Sequence, residues 1–224
     1  MQFFNPTFII AVLIGLSVHE AAHGYIAYKL GDPTAKMDNR ISLNPLAHLD
    51  PVGTLMFFLI GFGWAKPVPI DPRFFRKPKR DSMLTALAGP AANLITAFIC
   101  FLLLIAIFGT YEYSSAMGLM RTIEGGQAAL IIAERILSQS IFVNLALMSF
   151  NLLPIAPLDG SKVLEGFIPY NYSREYEDFM RKGPMILLIL IVAGAAFNLP
   201  ILNAWVFGIS SAVLNVMNLI VELI

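Results

Sequence analysis

Apolar residues run along this chain in stretches too long to belong to the core of a small soluble domain. A membrane-crossing helix needs about 20 of them in succession. Phe8 to Leu30 is the first run of that kind, Met83 to Phe108 the second and Ala128 to Leu153 the third. Pro184 to Leu199 and Ile201 to Ile220 follow, split by Asn198-Leu199-Pro200. A proline there ends one helix and leaves only a tight turn before the next, which predicts an antiparallel hairpin. The pattern as a whole predicts an all-α polytopic membrane protein with about five transmembrane helices.

One apolar stretch does not fit that series. Val52 to Trp64 is too short to span, is bracketed by Pro51 and Pro67, and is interrupted by Gly53, Gly61 and Gly63. A short re-entrant, β-like strand or loop is expected there. Such backbone survives at membrane depth only where protein buries it or where it lines a wet cavity.

Composition agrees: 57% of residues are hydrophobic and 13% charged, which places the chain among integral membrane proteins. A net charge of zero leaves no nucleic-acid footprint. The single cysteine, Cys100, cannot form an intrachain disulfide. Charge asymmetry orients the spans. Lys66 to Arg80 carries Lys66, Arg73, Arg76, Lys77, Lys79 and Arg80 against Asp71 and is expected in the cytoplasm. The 110–127 connection, with Glu112, Arg121 and Glu124, suits the outside. This predicts an outside N-terminus, five spans and a cytoplasmic C-terminus. The first cation is Lys29, so no basic region precedes the first run, which is read as a retained span rather than a cleaved signal.

The chemistry lies in that first span. His19-Glu20-Ala21-Ala22-His23 is an H-E-x-x-H motif. On a helix the two histidines sit one turn apart, about 40° apart around the axis. Two imidazoles so placed can grip one Zn²⁺, and Glu20 on the neighbouring arc can take a proton from water at the metal. A lipid-facing glutamate would cost roughly 2.5–3.5 kcal/mol or more, so Glu20 belongs in a protein interior or a wet cavity. Two core histidines and a paired glutamate are the structural alternative, but an apolar helix has few means of satisfying three polar groups without a ligand.

A catalytic zinc takes three protein ligands and keeps a position open. Two residues could complete the set. His48 lies in the loop sequence Asn44-Pro45-Leu46-Ala47-His48-Leu49-Asp50, where it could equally be an interfacial histidine. Asp159 follows the third span, which runs in the same direction as the first, so it reaches a similar depth on the cytoplasmic side. Pro154 and Pro157 break the helix ahead of it. Asp159 could otherwise cap a following helix.

HEAAH in the first span, NPLAHLDPVG after it, AGPAAN (Ala88 to Asn93) opening the second span and NLLPIAPLDG (Asn151 to Gly160) closing the third resemble the site-2 protease family of intramembrane zinc metalloproteases, in its compact prokaryotic branch. The resemblance covers residues 8 to about 165. It implies one Zn²⁺ per chain held by His19, His23 and Asp159, with Glu20 as general acid/base. It also implies that Asn151, Asn93 and His48 contact substrate or support the site, Asn151 being favoured as the oxyanion donor for its closeness to Asp159. Expected partners are the transmembrane segments of membrane-protein substrates and the lipid bilayer. The expected location is a prokaryotic plasma membrane, with the active site towards the cytoplasm. Residues 1–224 then form one membrane-embedded metalloprotease domain, with a catalytic core at about 8–165 and a helical hairpin at about 184–224 that carries none of these motifs. Two other classes stay open on the residues alone: a zinc-binding membrane protein without hydrolytic activity, against which the intact Glu20 argues, and an ion transporter, whose internal repeats are not seen.

Overall fold

A computed structural model describes residues 5–61, 63–108, 128–197 and 199–223. The 110–127 connection, expected outside the cell, lies beyond the described residues, as does Asn198 of the expected hairpin turn. The described residues form helices in chain order: α1 (Pro6–Lys29), α2 (Thr34–Met37), α3 (Pro51–Ile60), α4 (Pro78–Phe108), α5 (Ala128–Asn151), α6 (Asp159–Phe167), α7 (Ser173–Met180), α8 (Gly183–Phe197) and α9 (Ile201–Glu222). Among them α1, α4, α5 and α9 are long and apolar enough to cross a membrane. The expected fourth span is α8. Its 15 residues reach about 22 Å at the α-helical rise, short of a full hydrocarbon core.

α1 starts where Asn5 accepts a hydrogen bond from the Thr7 amide at 3.1 Å and Pro6 takes the first helical position. Its buried positions include Ala11, Gly15, His19, His23 and Ala27, one every four residues. α4 buries Asp81, Thr85, Gly89, Asn93, Ala97 and Phe101 at the same spacing. Residues four apart share a helix face, so each helix turns one stripe of small and polar side chains inward and leaves Leu94, Ile95, Ile99 and Leu103 of α4 exposed. The two stripes pack against each other, and both pack on α5. Small residues in the stripes let the backbones approach closely, the usual basis of helix association in a membrane. The α4 stripe runs on into an apolar cluster of Ala97, Phe101, Leu104, Ile141, Leu145, Met148, Leu214 and Met217 that joins α4, α5 and α9.

The Val52–Trp64 stretch corrects one expectation. It is not β-like: Pro51–Ile60 is helical. The residues read as breakers stand at the two ends, where they favour a helix. Asp50 caps α3 by accepting from the Gly53 amide at 2.7 Å, Pro51 occupies the first turn, and Gly61 closes the helix in the left-handed region at φ 75°. Extended pairing is confined to the flanks, at the Leu49–Ala65 bridge and the bond from the Lys66 amide to the His48 carbonyl at 2.8 Å.

The chain after Ala65 is held against the loop that follows α1. Fully buried Asp32 accepts from the Thr34 amide at 2.9 Å and from the Asp71 amide at 2.7 Å. Segment 65–71 is therefore held across the C-terminal end of α1.

Candidate metal centre

His19 and His23 are buried in the α1 stripe facing α4. The Nδ1 of His23 is 2.7 Å from the Thr85 carbonyl, which can only accept, so Nδ1 carries the proton. The Nδ1 of His19 is 2.6 Å from Asn93 Oδ1. Asn93 itself donates to the Gly15 carbonyl at 3.0 Å and to Asn144 Oδ1 at 2.8 Å, which fixes its amide with the oxygen towards His19. Both neutral rings thus present an unprotonated Nε2 to the same point. The carbonyl and amide partners behind them are of the kind that orient metal-bound histidines.

Asp159 arrives from a different element. α5 stops at Asn151, and α6 begins at Asp159. The start of α6 has no side-chain cap, so the carboxylate is not spent on the helix end. Its Oδ2 lies 3.1 Å from His19 Nε2 and 3.3 Å from His23 Nε2, while the two nitrogens are 3.0 Å apart. Three lone-pair donors with no proton between them repel one another unless a cation joins them. Tetrahedral Zn²⁺ with bonds near 2.0–2.1 Å sets its ligand atoms about 3.3 Å apart, and two imidazoles with one carboxylate are a zinc donor set. Oδ2 is also a buried polar atom without a hydrogen-bond partner among the described residues. The site calls for positive charge, and the residues fit zinc.

His19, His23 and Asp159 line a cavity of about 670 Å³, which Glu20, Asn151, Lys79, Lys162 and Glu165 also line. Glu20 Oε2 accepts from the Val68 amide at 3.1 Å. Asn151 donates to the Leu147 carbonyl of its own helix at 2.9 Å, leaving its second amide hydrogen for another acceptor. Asn93 is fully buried behind His19 rather than at the cavity wall. His48 is buried as well and donates from Nε2 to the Ser42 carbonyl at 2.7 Å. It is not in the group of His19, His23 and Asp159 that could hold a metal among the described residues.

Two contributors escape sequence reading. Thr85 acts through its backbone carbonyl, which leaves no residue signal. Asn144 acts through Asn93, 51 residues away, and that contact leaves no local signal either. Loss of either amide should loosen His19: Asn93→Leu and Asn144→Leu are each expected to cost roughly 10–100-fold in zinc affinity, read by competition with a chelator. Gly89 supplies space. A Cβ there would stand 2.6 Å from His19 Cε1 and 2.7 Å from its Nε2. Gly89→Ala should therefore displace the ring and deplete zinc while helix content by circular dichroism is retained.

The family model described as "Peptidase family M50" matches residues 7–192. The chain belongs to peptidase family M50, the site-2 protease family. Members named as candidate zinc metalloproteases include YwhC of Bacillus subtilis (strain 168), 38% identical over 201 residues, or 89% of this chain and 87% of that protein. Rip2 of Mycobacterium tuberculosis (strain ATCC 25618 / H37Rv) is 29% identical over 203 residues, covering 88% of this chain and 68% of the relative. No solved structure matches. Membership in M50, together with the four apolar helices, makes the protein a multi-pass membrane metalloprotease with Zn²⁺ as its cofactor.

Proposed function

We propose that this M50 protein hydrolyses peptide bonds within or beside the transmembrane segments of membrane-protein substrates, with His19, His23 and Asp159 as the zinc ligands and Glu20 as general acid/base. The observation that carries the reading is the meeting of His19 and His23 of membrane-length α1 with Asp159 of α6, at the wall of a cavity that Glu20 also lines. When bound, zinc supplies Lewis acidity towards a carbonyl oxygen and lowers the pKa of a coordinated water towards ~7. Glu20 takes a proton from the attacking water and returns it to the leaving amine. The Val68 amide holds the carboxylate while leaving its other oxygen for that work. Asn151, which lines the same cavity, donates its second amide hydrogen to the developing oxyanion.

Lys79 belongs to the basic 66–80 segment and lines the cavity, which supports an opening on the cytoplasmic side of a prokaryotic plasma membrane. A second cleft, of about 490 Å³ and almost wholly apolar, runs beside α1, α3 and α5 past Val12, Leu16, Phe57, Trp64 and Phe150. Leu16 is three residues from His19 and Phe150 adjoins Asn151, so this cleft offers a substrate's apolar segment an approach to the metal from within the bilayer. Co-expression with a panel of single-span membrane proteins tests the reading. Wild type should release shortened products that Glu20→Gln does not; the same products from both would remove Glu20 from the chemistry.

A further inference from the structure

Arg40 is only 7% exposed and has no carboxylate within ion-pair distance among the described residues. A buried guanidinium without a counter-charge is costly and must be compensated by hydrogen bonds. Here the compensation is backbone and runs through Nη2 alone, Nε being buried without a hydrogen-bond partner among the described residues. Arg40 Nη2 donates to the Lys66 carbonyl at 2.5 Å and to the Pro67 carbonyl at 3.3 Å. The Pro67 carbonyl and the Val68 amide are the two ends of one peptide group, and the Val68 amide donates to Glu20 Oε2 at 3.1 Å. The peptide thus lies between a cation at its oxygen and a carboxylate at its N–H. Its dipole is aligned with both, an arrangement in which each hydrogen bond polarises the other. Pro67 and Pro69 flank the pair and have no N–H of their own, so Val68 is the one donor of the Pro67-Val68-Pro69 run that can reach Glu20.

We infer that Arg40 is a positioning residue for Glu20, acting through the Pro67–Val68 peptide. It locks that peptide in the orientation that offers the amide to the carboxylate, and it supplies the positive charge the carboxylate otherwise lacks at that end. It does not touch the metal ligands. The inference rests on the proposed role of Glu20 as acid/base. It predicts a division of effects: disturbing Arg40 should move Glu20 and the 65–71 segment while zinc stays.

Four variants decide: Arg40→Gln, which removes the charge; Arg40→Lys, which keeps it on a shorter side chain; Glu20→Gln; and Arg40→Gln combined with Glu20→Gln. Hydrogen–deuterium exchange at the Val68 amide is read first, because it does not depend on hydrolysis. Arg40→Gln should raise it clearly and Arg40→Lys less. In the Glu20→Gln background the Arg40→Gln effect should shrink, since the negative charge at the N–H end of the aligned peptide is already gone. Zinc content should remain that of wild type. With a single-span protein from the cleavage panel as substrate, kcat should fall roughly 10–100-fold in Arg40→Gln and by a smaller factor in Arg40→Lys, with KM little changed. If Arg40→Gln does not fold, the exchange and kcat of Arg40→Lys carry the test. Unchanged Val68 exchange, or equal increments with and without the Glu20 carboxylate, would overturn the inference and leave the protease reading intact. A wild type that cleaves nothing would remove the protease reading, while the exchange coupling would still report on the Arg40–Glu20 link.

Discussion

Glu20→Gln is expected to retain wild-type zinc and lose hydrolysis by roughly 10²–10⁴-fold, the usual contribution of a general acid–base group. The amide keeps nearly the volume of the carboxylate, and its oxygen can still accept from the Val68 amide, so the 65–71 segment should stay in place. What it cannot do is take a proton from water. Nor is Glu20 among the three residues that could hold the metal, so zinc stoichiometry should be untouched. Metal analysis and initial rates on the same preparation check this. Hydrolysis at the wild-type rate would sink the assignment, and loss of zinc with activity would turn Glu20 into a structural residue.

Asp159→Ala should deplete zinc where His48→Ala does not. Structural zinc sites bind with about 10–16 kcal/mol over four ligands, or roughly 3–4 kcal/mol each, so removing one ligand should cost on the order of 10²–10³-fold in affinity. The geometry allots that cost to Asp159. Its Oδ2 faces both imidazoles, and its negative charge offsets part of the Zn²⁺ charge at a buried site. His48 has its Nε2 engaged by the Ser42 carbonyl and stands outside the ligand group. His48→Ala should lower thermal stability, since it empties a buried position, and change zinc affinity less than about threefold, well below the 10–100-fold expected from loss of a ligand's supporting partner. Dialysis of both variants against a weak chelator, beside His23→Ala, makes the comparison. Loss of zinc from His48→Ala with retention in Asp159→Ala would overturn the ligand set.

Much of this site was legible in the residues because its signals are local. H-E-x-x-H needs only the helical repeat to bring His19 and His23 together, and Pro154 and Pro157 announce the break that frees Asp159. The long spans were legible for the same reason: apolar length is a property of contiguous residues. The structure lengthens α4 back to Pro78, and there Asp81 accepts from the Lys77 amide at 2.9 Å, so polar residues were hiding a well-capped helix start. What was not legible depends on contacts between distant segments. Asn144 matters through Asn93, 51 residues away, and Thr85 through a carbonyl. Val52–Trp64 departs from the expected β-like segment because Pro51 and Gly61, breakers inside a helix, stand at the two ends of α3, where each stabilises a helix terminus.

The most direct measurement is the position of the cut. Purified zinc-loaded protein in liposomes, incubated with a single-span substrate from the panel, should yield two fragments whose new ends, by mass spectrometry, fall within or next to the apolar segment. Chelation and Glu20→Gln should each abolish them. New ends confined to a soluble part of the substrate, or fragments that persist in Glu20→Gln, would contradict the account.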